Sequence, residues 1–104
     1  MDVEIEEKTL VELYTTGRSR KKSFPPGIAK KFVERIRTIE AANSIDDLRI
    51  PPSMQFEKLQ GNQDLFSIRL NQQFRLIFRL EFDDETRKTG KAFIQEIWDH
   101  SKKY

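Results

Sequence analysis

The sequence has no cysteine and a single histidine among its 104 residues. Without cysteine there is no disulfide and no thiolate nucleophile, and this absence suits a reducing cytosol. One histidine and no cysteine also argue against a zinc site, because zinc is held mainly by these two residue types. We therefore expect no metal and no cofactor, and any chemistry must come from arginine, the carboxylates and His100.

Long apolar runs are also missing from the sequence. No stretch approaches the roughly 18 apolar residues that a membrane-spanning helix requires, and the acidic start of the chain has no signal-peptide pattern. We expect a cytoplasmic protein with no membrane partner. The length suits one small domain over residues 1–104.

The formal net charge is only +2, but the charges are unevenly distributed. Residues 1–16 hold five acids and one lysine, whereas residues 17–37 hold eight basic residues and one acid, Glu34. Part of the basic segment is a loop with Arg18, Arg20, Lys21 and Lys22. A positive segment in a nearly neutral chain indicates local contact with a polyanion or an acidic protein, although a solvated loop is equally compatible.

Residues 65–82 carry the clearest structural pattern in the chain. Two alternating runs flank a polar break at 71–73, which predicts a β-hairpin. One face would be apolar and buried, formed by Phe66, Ile68, Leu70, Phe74, Leu76, Phe78, Leu80 and Phe82. The opposite face would carry Arg69, Arg75 and Arg79, with no acid between residues 66 and 79. A solvated polar face is the ordinary interpretation, but uncompensated arginines favour an anionic partner because guanidinium binds phosphate in a bidentate manner.

The rest of the chain predicts an α+β fold. Helices are expected over residues 6–16, ended by Gly17, and from the Pro25-Pro26 pair to about Ala42, with one further turn at Ile45–Leu48. Strands are expected at 54–59 and 92–98, a turn at Gly61-Asn62, and a short strand is possible at 2–5. The prediction is two N-terminal helices packed on one face of a mainly antiparallel sheet of about four strands.

Three residues have the chemistry that a metal-free ribonuclease needs. Arg75 could stabilise charge on a phosphate, Glu57 on the neighbouring strand could accept a proton, and His100 follows the last strand and titrates near neutral pH. A lone histidine near a chain end is more often simply exposed. These three residues therefore suggest a nuclease without establishing one.

The sequence resembles the HigB-type toxins of bacterial toxin–antitoxin systems, in the RelE/ParE superfamily, over nearly its whole length. The segments that carry the resemblance are Leu13-Tyr14-Thr15-Thr16-Gly17-Arg18-Ser19-Arg20-Lys21, residues 42–52, Phe56-Glu57-Lys58-Leu59-Gln60-Gly61, residues 67–78 and residues 94–100. The two segments that begin at Phe56 and at Ser67 are the most specific.

The resemblance implies a RelE-like fold and a ribosome-dependent mRNA endonuclease. It also implies a cognate HigA-type helix-turn-helix antitoxin, through which the toxin would meet operator DNA only indirectly. By resemblance, Arg75 lies at the scissile phosphate, His100 is the acid–base catalyst, and Glu57 matches an acid found in some relatives. The residues expected to contact RNA are Lys58, Arg69, Arg79, Asp99, Lys102 and Tyr104. Many relatives have a tyrosine beside the histidine, where this chain has Ser101.

Two other functions stay open at this stage. A ParE-like toxin that inhibits DNA gyrase would share the fold and need no nuclease residues. A non-catalytic protein-binding module would use the basic helix and loop and carry no chemistry on the sheet. The nuclease interpretation predicts that Arg75→Ala and His100→Ala each abolish growth inhibition while the fold and antitoxin binding persist.

Overall fold

The computed structural model describes residues 1–21, 23–59, 61 and 64–99. Over these residues the chain forms five strands, three α-helices and one 3₁₀ turn. In chain order the elements are β1 (Asp2–Ile5), α1 (Lys8–Thr16), α2 (Ile28–Ala41), α3 (Ile45–Arg49), the 3₁₀ turn (Pro52–Met54), β2 (Glu57–Lys58), β3 (Leu65–Arg69), β4 (Phe74–Phe82) and β5 (Gly90–Asp99). The α+β class is confirmed. No helix in these ranges is long and apolar enough to cross a membrane.

The strands form one mixed sheet in the order β1-β5-β4-β3-β2. β1 pairs parallel to β5, with Val3 opposite Ala92, and the other pairs are antiparallel. The prediction of about four strands was therefore one strand short, and the sheet is mixed. The possible strand at residues 2–5 is confirmed, but its parallel partner lies almost ninety residues away, so no local pattern could identify it.

The helix ends follow from local capping groups. α1 begins at Lys8, two residues later than expected, because the Glu7 carboxylate accepts hydrogen bonds from the backbone N–H groups of Thr9 and Leu10. It ends at Gly17, whose φ of 76° is the left-handed conformation expected of a C-cap glycine. α2 likewise begins late, at Ile28, because the preceding residue is in a left-handed conformation.

The predicted strand over 54–59 is confirmed only at Glu57–Lys58. Residues Pro52–Met54 form the 3₁₀ turn, Gln55 follows in a left-handed conformation with φ of 45°, and only Glu57–Lys58 pair with β3. The turn places Met54 in the core, while Phe56 stacks on Phe66 with ring centroids 5.2 Å apart. The segment thus crosses the sheet edge as an irregular connection. Asn62, half of the predicted turn, lies outside the described residues.

The core lies between the helices and one face of the sheet. The buried face predicted for the hairpin is confirmed: Phe66, Ile68, Leu76 and Phe78 belong to one cluster together with Phe32 and Ile36 of α2. We call the opposite side of the sheet the outer face. On this face Ile77 is also buried, since arginine stems of neighbouring positions on β4 can cover apolar surface.

Candidate functional site

The strand register places two arginines directly opposite each other on the outer face. Arg69 of β3 and Arg75 of β4 are paired across the antiparallel ladder, and Trp98 of β5 lies on the other side of Arg75. Opposed residues of an antiparallel pair project from the same face, so both guanidinium groups lie on the outer face. Alternation along β4 places Arg79 on the same face.

Arg75 is buried rather than open to solvent, with only 7% of its side chain exposed. Its Nε donates to the Ser67 hydroxyl at 3.0 Å, Nη1 donates to the Gln55 side-chain oxygen at 3.3 Å, and Nη2 donates to the Gln55 carbonyl. Nη2 also lies 3.8 Å from a carboxylate oxygen of Glu57. Arg75 therefore reaches across β3 to the sheet edge and holds the irregular segment after the 3₁₀ turn.

A small residue beneath the arginine makes this arrangement possible. Ser67 is completely buried and lies between Glu57 and Ile77 in the ladder, so the side chain of Arg75 can extend across it. A larger residue at this position would occupy the space of the guanidinium. The Ser67 hydroxyl also accepts the hydrogen bond that fixes Nε of Arg75. Among the described residues, every buried polar side-chain atom has a hydrogen-bond partner.

The electrostatics of Arg75 combine opposing effects. Burial lowers the pKa of Arg75, Glu57 raises it, and the charge of Arg69 lowers it further. An arginine remains protonated at neutral pH despite such a shift, because its ordinary pKa lies far above it. Arg75 therefore stays positively charged. Its burial and the like charge of Arg69 on the adjacent strand both make that charge energetically unfavourable.

The other sheet arginines differ from Arg75. Arg79 pairs with Glu81 and lies 3.9 Å from Glu6, and its guanidinium stacks over Phe93 at 4.3 Å. The hydrogen bond to Glu81 raises the pKa of Arg79. Arg69 is half-buried and makes no ion pair with a described carboxylate. The expected row of three uncompensated arginines is therefore reduced to Arg69, with Arg75 partly compensated by Glu57.

Glu57 and Lys58 lie on opposite faces of the two-residue strand β2. Glu57 is paired with Ser67 and thus belongs to the outer face, and its side chain is 63% exposed. Lys58 is paired with Phe66, a core residue, so its register directs it to the helix side. Of the two neighbours, only Glu57 lies at the Arg75 site.

The end of β5 lies beside the hairpin turn. Asp99 is paired with Phe74, and its carboxylate accepts a hydrogen bond of 3.1 Å from the Gln73 side chain. The turn itself is held by the Asn71 side chain, which accepts from the backbone N–H groups of Gln73 and Phe74. The predicted site residues His100, Lys102 and Tyr104, together with Ser101 and the loop residue Lys22, lie outside the described residues.

Two residues that accept hydrogen bonds from Arg75 were not predicted from the sequence. The alternation over residues 65–82 puts Ser67 on the polar face but gives it no role, although a serine among bulky strand residues beside an arginine is a usable signal. Gln55 was placed inside a strand, and nothing local distinguishes its left-handed conformation. Within the described residues, no group of three or more potential metal ligands comes together.

Comparison with known proteins identifies the family. The model of the HigB-like toxin family, described as the RelE-like toxin of the type II toxin–antitoxin system HigB, matches residues 3–89. The chain is 38% identical to Toxin HigB-1 of Vibrio cholerae over 80 residues, which cover 76% of this chain and 83% of the relative. It is also 34% identical to an uncharacterized protein of Haemophilus influenzae over 73 residues, 69% of this chain and 71% of the relative. The chain therefore belongs to the HigB-like family of RelE-like toxins of type II toxin–antitoxin systems.

Proposed function

We propose that this toxin is a ribosome-dependent, metal-independent mRNA endoribonuclease that stops translation in the cytoplasm. We further propose that a helix-turn-helix antitoxin neutralises it and, with it, represses their operon. Membership of a type II family implies an antitoxin partner, whereas the catalytic activity and the form of the antitoxin are our inference.

The observation that carries the proposal is the opposition of Arg69 and Arg75 on the outer face. Like charges directly opposite each other destabilise a sheet, and here one of them is also buried. A bound phosphate would convert this repulsion into two charge-assisted interactions. Two opposed guanidinium groups that a single anion could bridge are typical of a phosphate-binding site.

Burial of Arg75 sets a condition on how a phosphate reaches it. The side-chain amide of Gln55, an exposed residue, makes the long bond to Nη1, whereas its backbone carbonyl binds Nη2. The bond to Gln55 joins a charged donor to a neutral oxygen, whereas a bond to a phosphate oxygen joins two opposite charges and can be bidentate, so the phosphate bond is the stronger of the two. We propose that the Gln55 amide rotates away when RNA binds, while the backbone bond keeps the guanidinium in place.

The proposed reaction uses the 2′-hydroxyl of the message as nucleophile. Glu57, next to Arg75 and open to solvent, takes the hydroxyl proton as the oxygen attacks phosphorus. Arg75 and Arg69 stabilise the charge on the phosphate, and His100 protonates the leaving 5′-oxygen. Acid–base groups typically contribute about 10²–10⁴-fold, and one electrostatic donor about 10²–10³-fold.

The direct test is cleavage of ribosome-bound mRNA, mapped by primer extension, with analysis of the product ends. We expect 2′,3′-cyclic or 3′-phosphate ends, and we expect His100→Ala and Arg75→Ala to abolish cleavage. Products with 3′-hydroxyl ends, or full toxicity in the double variant, would refute the nuclease and favour a gyrase inhibitor instead.

A further inference from the structure

A groove lies on the helix layer, at the C-terminal end of α1 and along one flank of α2. A cavity of about 340 Å³ is lined by Gly17, Ala29, Lys30, Val33, Glu34 and Arg37. A second cavity of about 350 Å³ shares Gly17 and Ala29 with the first, so the two adjoin. We call this continuous depression the α1–α2 groove. It belongs to the side of the sheet opposite the outer face and is separate from the Arg75 site.

The floor of the α1–α2 groove is apolar and not fully buried. Ala29 and Val33 lie one turn apart on α2 and are both half-buried. The ring of Tyr14 on α1 meets Phe32 edge-on with centroids 6.4 Å apart, which fixes the contact between the helices. Ala29 and Val33 thus present apolar surface that the described residues leave partly exposed.

The rim of the groove has an excess of positive charge. Arg18, Lys30 and Arg37 make no ion pair with any carboxylate of the described residues. The acids nearby are already engaged: Glu34 lies 3.6 Å from Lys31, and Glu12 lies 3.7 Å from Arg20. An apolar floor between unpaired cations is complementary to an apolar ridge flanked by carboxylates.

We propose that the α1–α2 groove binds an acidic amphipathic segment of the antitoxin, with an aliphatic side chain seated on Ala29 and Val33 and carboxylates facing Lys30 and Arg37. The proposal rests on the antitoxin partner of the proposed function. The apolar floor favours a protein segment over RNA, because phosphate contacts need no apolar anchor. α2 has 14 residues, about 21 Å of helix, which suits a partner segment of three to four turns.

The position of the groove gives the proposal a distinctive consequence. Because the groove and the Arg75 site are on opposite sides of the sheet, a substitution in the groove should prevent neutralisation and leave toxicity intact. The substitutions are Val33→Glu for the floor and the double reversal Lys30→Glu/Arg37→Glu for the rim. Lys8→Glu is the matched control, since Lys8 is an exposed lysine of α1 that does not line the groove.

The experiment co-expresses each variant with the product of the adjacent reading frame, taken as the antitoxin, and measures growth. In parallel, calorimetry measures binding between the purified chain and that product at two salt concentrations. We expect Val33→Glu and the double reversal to remain toxic, to resist neutralisation and to bind at least about tenfold more weakly. Wild-type binding should weaken as salt rises, and Lys8→Glu should behave as wild type.

Each other outcome overturns a specific part of this inference. Neutralisation and binding at wild-type strength in both groove variants would exclude the groove as the docking site. Folded groove variants that bind the antitoxin but lose toxicity and sediment apart from ribosomes would assign the groove to ribosomal RNA instead. Wild-type toxin that is neither toxic nor bound by the adjacent product would refute the proposed function itself. Circular dichroism of every variant separates these results from misfolding.

Discussion

Replacing Arg75 with alanine tests both the fold and the site. The change removes three hydrogen bonds from a charged donor and leaves the buried Ser67 hydroxyl without its partner. An unsatisfied buried group costs about 1–3 kcal/mol, lost packing of the arginine stem adds to it, and relief of the buried charge offsets part of the loss. We expect a net destabilisation of about 2–4 kcal/mol, or a decrease of about 10–25 °C in melting temperature for a chain of this size.

This magnitude revises the prediction that the fold would be unaffected by Arg75→Ala. Cleavage must therefore be assayed well below the melting temperature, with the folded fraction measured by circular dichroism. Arg35→Ala is the matched control, because Arg35 makes a single 2.9 Å bond to the Arg69 carbonyl and should cost about 1 kcal/mol without loss of cleavage. An unchanged melting temperature in Arg75→Ala would refute the buried arrangement, and cleavage by the folded variant would refute the catalytic role.

Three further predictions test the core, the sheet and the RNA surface. Phe78→Ala should lower the free energy of unfolding by about 3–5 kcal/mol in a denaturant titration, because Phe78 is fully buried. A loss below about 1 kcal/mol would contradict the assignment of Phe78 to the core face of β4. Gly90→Ala should destabilise by about 1–3 kcal/mol, because a Cβ would lie 2.1 Å from the Glu81 carbonyl oxygen. Gly61→Ala is the control for backbone strain alone, because a Cβ there would meet no described atom within 4 Å and Gly61 has a left-handed φ of 80°. Ribosome affinity should decrease as salt rises, and a salt-independent affinity would contradict a phosphate-binding surface.

The sequence predicted the elements that depend on local pattern. The alternation over residues 65–82 places side chains on two faces with period two, so the hairpin and its core residues are confirmed. Glycine at position 17 ends α1 because the left-handed conformation is open to it. The parallel pairing of β1 with β5 depends on contacts across almost the whole chain, and no local pattern encodes it.

The environment of Arg75 was beyond sequence analysis for a different reason. Alternation determines which face a side chain leaves from, but not where a long side chain ends. Arg75 ends at the sheet edge because Ser67 leaves space beneath it and because Gln55 turns its carbonyl toward it. Both conditions depend on the irregular segment after the 3₁₀ turn, which the sequence pattern assigned to a strand.

The separation of the two surfaces constrains how the toxin is controlled. In the proposed reaction, the Gln55 amide rotates away before a phosphate reaches Nη1 of Arg75. An antitoxin segment confined to the α1–α2 groove would not touch the Arg75 site. It would therefore neutralise the toxin by positioning the rest of the antitoxin so that it sterically blocks binding of the ribosome. Neutralisation by such a mechanism depends on the bulk of the antitoxin. An isolated groove-binding peptide should therefore bind the toxin and compete with the full antitoxin, yet leave cleavage of ribosome-bound mRNA unchanged.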